Sequence, residues 1–117
     1  MKKYYKFAGV ECEIFVPEQW IYKDNRSLTE FRCETAENPH RFRFILVEQL
    51  EPPAGQKIAD FPDYCVYGNA EEKIRYIGNV VPGWENAYIR AAHEGKRHSV
   101  ALRHDKFTDR IDTNTVL

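Results

Sequence analysis

The chain has 117 residues, of which 43% are hydrophobic and 30% charged, and 17 Lys+Arg against 18 Asp+Glu leave a formal charge of -1. This balance excludes a disordered polymer, a collagen-like repeat and a run of apolar membrane helices. At this length a chain builds one core, burying roughly 65% of its unfolded surface, and near-neutrality carries no signature of a nucleic-acid or acidic-lipid partner.

Seven Tyr, seven Phe and a single Met favour strands, where aromatic rings pack well on a pleated surface. No apolar run after Met1 is long enough for a signal peptide or a membrane span, so the expected compartment is the cytoplasm. Cys12, Cys33 and Cys65 are odd in number and form no C-x-x-C pair. They read as small buried thiols.

The hydrophobic period is two throughout, which predicts strands. Residues 3–16 read as one long strand or a tight hairpin about Gly9, with Cys12, Ile14 and Val16 on one face. Residues 30–34 form a short strand, and 37–40 a turn. Residues 41–48 follow, with Phe42, Phe44 and Leu46 facing one way and Arg41, Arg43, Ile45 and Val47 the other. Ser27-Leu28-Thr29-Glu30 fits a capping box and allows one helical turn. Residues 49–63 hold three prolines and a glycine and read as a long loop. Strands at 64–67 and 72–77 flank a turn at Gly68-Asn69. Strands at 86–93 and 96–104 flank Glu94-Gly95. With that pair as the loop, Ile89 lies opposite Val100, and Ala87, Ile89, Ala91, Val100 and Leu102 share an apolar face. Tyr88, Arg90, Arg97, Ser99 and Arg103 share the polar one. The fold class is therefore all-β, an antiparallel sandwich or open barrel of about seven to eight strands with at most one short helical turn, in a single domain over residues 1–117.

No motif announces catalysis. Gly95-Lys96 is the one Gly-Lys pair, and it lacks the upstream glycine and following hydroxyl of a phosphate loop. Ser27 and Ser99 have no G-x-S-x-G elbow. His93 and His98 fall as diagonal neighbours on one face, with no third ligand for a metal. The glutamates read as solvated. The expectation is no catalytic residue, no metal and no cofactor. The candidate binding surface is arginine-rich: Arg90, Arg97 and Arg103 beside Tyr88, with Arg41 and Arg43 as a second stripe. A planar guanidinium fork suits carboxylates, phosphates or a partner protein. Trp20, Tyr22 and Trp84 offer an alternative, as stacking platforms in a free-standing carbohydrate or small-ligand module.

Three stretches carry a resemblance: Tyr5-Lys6-Phe7-Ala8-Gly9-Val10 with the strand after it, Trp84-Glu85-Asn86-Ala87-Tyr88-Ile89, and Thr113-Asn114-Thr115-Val116-Leu117. Together they resemble the N-terminal β-rich region of HPr kinase/phosphorylase-like proteins, which have a phosphoenolpyruvate-carboxykinase-type core. The resemblance implies the non-catalytic N-terminal part of a longer kinase-like protein, because that family's P-loop follows further along. Its partner would be its own C-terminal domain or a protein or peptide substrate, with no nucleic acid and no membrane; homo-oligomerisation is left open.

Overall fold

The computed structural model describes residues 2–16, 21–23, 30–78, 80, 83–106 and 110–112, and for 21–23 and 110–112 only the strand pairing. Eleven strands are found among them: β1 (Lys2–Phe7), β2 (Val10–Phe15), β3 (Ile21–Lys23), β4 (Arg32–Cys33), β5 (His40–Val47), β6 (Lys57–Asp60), β7 (Tyr64–Gly68), β8 (Glu72–Ile77), β9 (Ile89–Glu94), β10 (Arg97–Arg103) and β11 (Arg110–Asp112). The expected all-β class holds, with one 3-10 turn at Trp84–Asn86. Most of the capping box at 27–30 lies outside the described residues. No helix among the described residues is long and apolar enough to cross a membrane.

Nine strands form one open, mostly antiparallel sheet in the order β4-β1-β2-β5-β10-β9-β8-β7-β6, while β3 and β11 pair separately. Ala8 and Gly9, both at positive φ, turn β1 into β2. This left-handed pair matches the twist of the two strands it joins. From β6 to β10 the chain is an antiparallel meander. Its last strand returns to β5, which runs parallel to both neighbours, β2 and β10. Alternating side chains look the same whichever way a neighbouring strand runs, so the parallel joints are not visible in the period. The segment 49–63 is not all loop: β6 lies in it, bulged between Lys57 and Ala59.

The β9–β10 hairpin turns through Gly95-Lys96 rather than Glu94-Gly95, since Arg97 pairs with Glu94. Val100 therefore faces Ala91, and Ile89 faces Leu102. The slip is two residues, and an even slip leaves every side chain on its original face. In the same way, Gly68 closes β7 and the next turn runs over 69–71. There the Asn69 Oδ1 accepts the backbone N–H groups of Glu71 and Glu72 at 2.8 and 3.0 Å.

Each face of the sheet is buried in a different place. On one face, Tyr5, Ile14, Val16, Phe44, Ile89, Ala91, Val100 and Leu102 form a core over the central strands. On the other, Leu50, Cys65, Ile74, Tyr76, Val80 and Ala87 form a second core over β7 and β8. Over β5 from Arg41 to Ile45 that second face stays open, with Ile45 54% exposed, while Val47 packs against the second core. Leu102 is fully buried, so Leu102→Ala should cost ~2–5 kcal/mol, while Ile45→Ala should cost under ~1 kcal/mol. Urea denaturation of both variants checks this; a neutral Leu102→Ala beside a costly Ile45→Ala would reverse the faces.

Candidate functional site

The parallel β5–β10 register sets Arg97 beside Arg41 and Ser99 beside Arg43, all on the open face. The two stripes seen in the sequence thus become one. Arg41, Arg43, Arg97 and Ser99 line a groove of about 550 Å³, rimmed by Glu72 and Glu94. Existing partners hold the guanidinium groups loosely. Arg41 Nε is 3.7 Å from Glu13 Oε1, and Arg97 Nη2 is 3.5 Å from Glu94 Oε2. Arg43 lies over the Phe15 ring, 5.3 Å from its centroid. Both ion pairs involve exposed arginines, and such pairs contribute little in water. With Glu13 beside Arg41, three arginines stand among three carboxylates, and the two ion pairs that the arginines make, at 3.7 and 3.5 Å, are long.

The other three candidates do different things. Arg90 donates from Nε to the Tyr76 hydroxyl at 3.1 Å, and its side chain is only 18% exposed. The same hydroxyl donates to the Glu51 carbonyl at 2.7 Å. Burial pushes the Tyr76 phenol up, and the bond from Arg90 opposes that. Arg103 donates from Nη1 to the Ala87 carbonyl at 2.9 Å and from Nε to Asp105 at 2.6 Å. The Asp105 carboxyl is held below its ordinary range by that hydrogen bond. These two arginines secure the second core and the end of β10; they are not a solvated docking stripe. Tyr88 leaves the stripe altogether. It packs against the first core, on the face opposite the groove, and its ring occupies the space where a Cβ at Gly78 would stand. β9 starts only at Ile89, after the 3-10 turn, so the alternation does not extend to Tyr88.

Of the candidate stacking aromatics, Trp84 is half-buried with its ring centroid 5.5 Å from that of Tyr76, so it is a core residue. Trp20 and the side chain of Tyr22 lie outside the described residues. Cys65 is buried, Cys12 and Cys33 are half-buried, and all three thiols are free. Burial raises the Cys12 and Cys65 thiols above their ordinary value.

The histidines hold a feature that the sequence concealed. His98 pairs directly with His93, not diagonally. Its Nδ1 lies 2.7 Å from His93 Nδ1, and its Nε2 lies 2.8 Å from His40 Nδ1. Phe42 stacks on the His98 ring, with centroids 4.3 Å apart. Each N···N contact needs one proton. A neutral imidazole has one N–H, so neutral His98 donates in one contact and accepts in the other. One extra proton fits at an outer nitrogen of the chain. A second would set two N–H groups face to face. Burial, then the charges of His93, His40 and Arg75, push His98 down to about 4, and burial lowers His93 as well. His98 spends its two nitrogens on different partners, so the three rings do not converge on a point. Among the described residues no three His, Cys, Asp or Glu side chains are grouped to hold a metal ion. His40 was invisible as a member, because only the parallel joint brings β5 beside β10.

Comparison of the chain with protein-family models, with curated proteins and with solved structures yields no match.

The histidine chain predicts a pH dependence of stability. The folded pKa of His98 lies below the unfolded value of 6.5. The folded state therefore binds fewer protons in that interval, and stability is full above about pH 6.5 and falls as pH drops toward 4. His98→Phe keeps a ring against Phe42 and should flatten the slope between pH 6.5 and 5 in denaturant titrations; an unchanged slope would contradict the assignment. The arginines should also separate. Arg90→Ala and Arg103→Ala should each cost ~1–3 kcal/mol, because buried partners lose their donors, and Arg97→Ala under ~1 kcal/mol. Equal losses in all three, read from urea midpoints, would contradict the division.

Proposed function

We propose that the chain is a non-catalytic docking domain that takes an anionic segment of a protein or peptide on its open sheet face. The observation that carries this reading is the convergence of Arg41, Arg43 and Arg97 with Ser99 around one groove. Guanidinium groups in a shallow, solvent-lined groove suit carboxylates, whose two oxygens accept a forked pair of N–H bonds. The groove is floored by regular strands, and strands fix side-chain spacing better than loops do.

The wider role we infer is that of an accessory domain to a kinase-like, ATP-dependent protein working in the cytoplasm. Its support is the sequence likeness of residues 5–16, 84–89 and 113–117 to HPr kinase/phosphorylase-like N-terminal regions, together with three free thiols. The reading frame tests this part: continuation into a P-loop-bearing domain supports it, and a stop codon directly after Leu117 removes it. The carbohydrate-module alternative is weakened by the packing of half-buried Trp84 against the second core.

The docking reading is tested with capped hexaglutamate and fluorescence anisotropy. Binding should weaken as salt rises, since exposed charges more than ~8 Å apart are screened at 0.15 M ionic strength. The double variant Arg41→Ser, Arg97→Ser should lose at least ~5-fold in affinity, which corresponds to about 1 kcal/mol. An unaltered affinity in that variant would remove the groove as the site.

A further inference from the structure

We propose that the segment taken by this groove carries a Glu-x-Glu-x-Leu pattern: two acidic residues two apart, then a large apolar one two further on, laid extended along β5. The proposal rests on the docking reading above and deepens it.

The arginine groove continues into a second one of about 310 Å³, and the two share Arg43 and Ser99. The lining of the second is different in kind. Ile45, Val47 and Ala101 supply its apolar part, with Gln49 and Glu51 also lining it and Arg90 already committed to Tyr76. The β5–β10 register orders the floor in rows: Arg41 with Arg97, Arg43 with Ser99, then Ile45 with Ala101. Successive rows are two residues apart, which is roughly 6.7 Å along a strand. An extended ligand presents alternate side chains to one side with the same repeat. The match between the two repeats places acids over the first two rows and an apolar side chain over the third.

Two further observations fix the third position as apolar. Ile45 is 54% exposed, whereas its neighbour Phe44, on the opposite face, is buried. A large aliphatic side chain left half in water gains from being covered. In the third row the one cation, Arg90, stands beside Ala101 and is already held by the Tyr76 hydroxyl, with Glu51 4.0 Å away. The floor thus changes from basic to apolar at the third row, where an apolar side chain covers Ile45 and a third acid would leave it in water. Both chain directions satisfy the row spacing, so the pattern and its reverse are tested together.

The experiment titrates the protein with capped Ser-Glu-Ser-Glu-Ser-Leu-Ser, with its reverse, and with the control in which Ser replaces Leu. One of the two leucine peptides should bind ~10-fold more tightly than the control, and Ile45→Ser should bring the two peptides to equal affinity. In the unaltered protein, the Ile45 methyl resonances should shift with the leucine peptide and not with the control. Equal affinity with and without leucine, or a gain that survives Ile45→Ser, overturns the pattern and leaves the arginine reading standing. Failure of every peptide to bind, the control included, overturns both.

Discussion

β5 is held between two parallel neighbours, and its joint with β10 is the contact on which the rest depends. The joint runs for seven consecutive pairs, from Arg97 with Arg41 to Arg103 with Val47. Two backbone bonds close its ends: Arg41 N–H donates to the Lys96 carbonyl at 2.7 Å, and His104 N–H to the Val47 carbonyl at 2.8 Å. Without it, the β1–β2 hairpin with β5 and the meander from β6 to β10 would be two separate sheets. Both notable side-chain clusters straddle it. On one face it builds the arginine groove, and on the other it completes the histidine chain by setting His40 against His98. The two groups share a backbone: Arg97 and Ser99 flank His98 on one strand and point to the other side.

The uneven burial of the sheet gives the site its place. The first core covers the central strands on one face and the second covers β7 and β8 on the other. The second reaches Val47 at the end of β5, but neither covers the groove side from Arg41 to Ile45. That stretch is left with long polar side chains and one exposed isoleucine. A covered sheet face would have excluded the arginines from water or forced them into buried pairs, which are costly to desolvate. Arg90 and Arg103 show the contrast, since each sits at the margin of the second core and is absorbed into structural hydrogen bonds.

Much of the fold was legible because a strand reports its faces through its period. Cys12, Ile14 and Val16 inside, Phe42 and Phe44 inside, and Ile89, Ala91, Val100 and Leu102 inside are all readable by alternation, and they stand where it put them. The hairpin register differs by two residues from the one the Glu94-Gly95 loop predicts, a slip that the period cannot detect. What alternation cannot carry is which strand lies beside which. It therefore showed two arginine stripes without their union, and two histidines without the third. It also overran its own domain at Tyr88, where a 3-10 turn interrupts the strand. Arg90 and Arg103 looked solvent-facing for a related reason. Their face was read rightly, but the segments packed over it, around Leu50 and Ala87, come from loops that carry no period.

The most direct test is therefore of the β5–β10 joint. Interstrand nuclear Overhauser contacts in a uniformly labelled sample report which residues lie side by side. The parallel register places Arg41 against Arg97, Phe44 against Val100 and Leu46 against Leu102, in an order that rises together along both strands. Contacts in that order establish the common floor of the groove and the histidine chain. Contacts that run in opposite order, with Arg41 near Arg103 and Leu46 near His98, would separate the arginines and contradict the account.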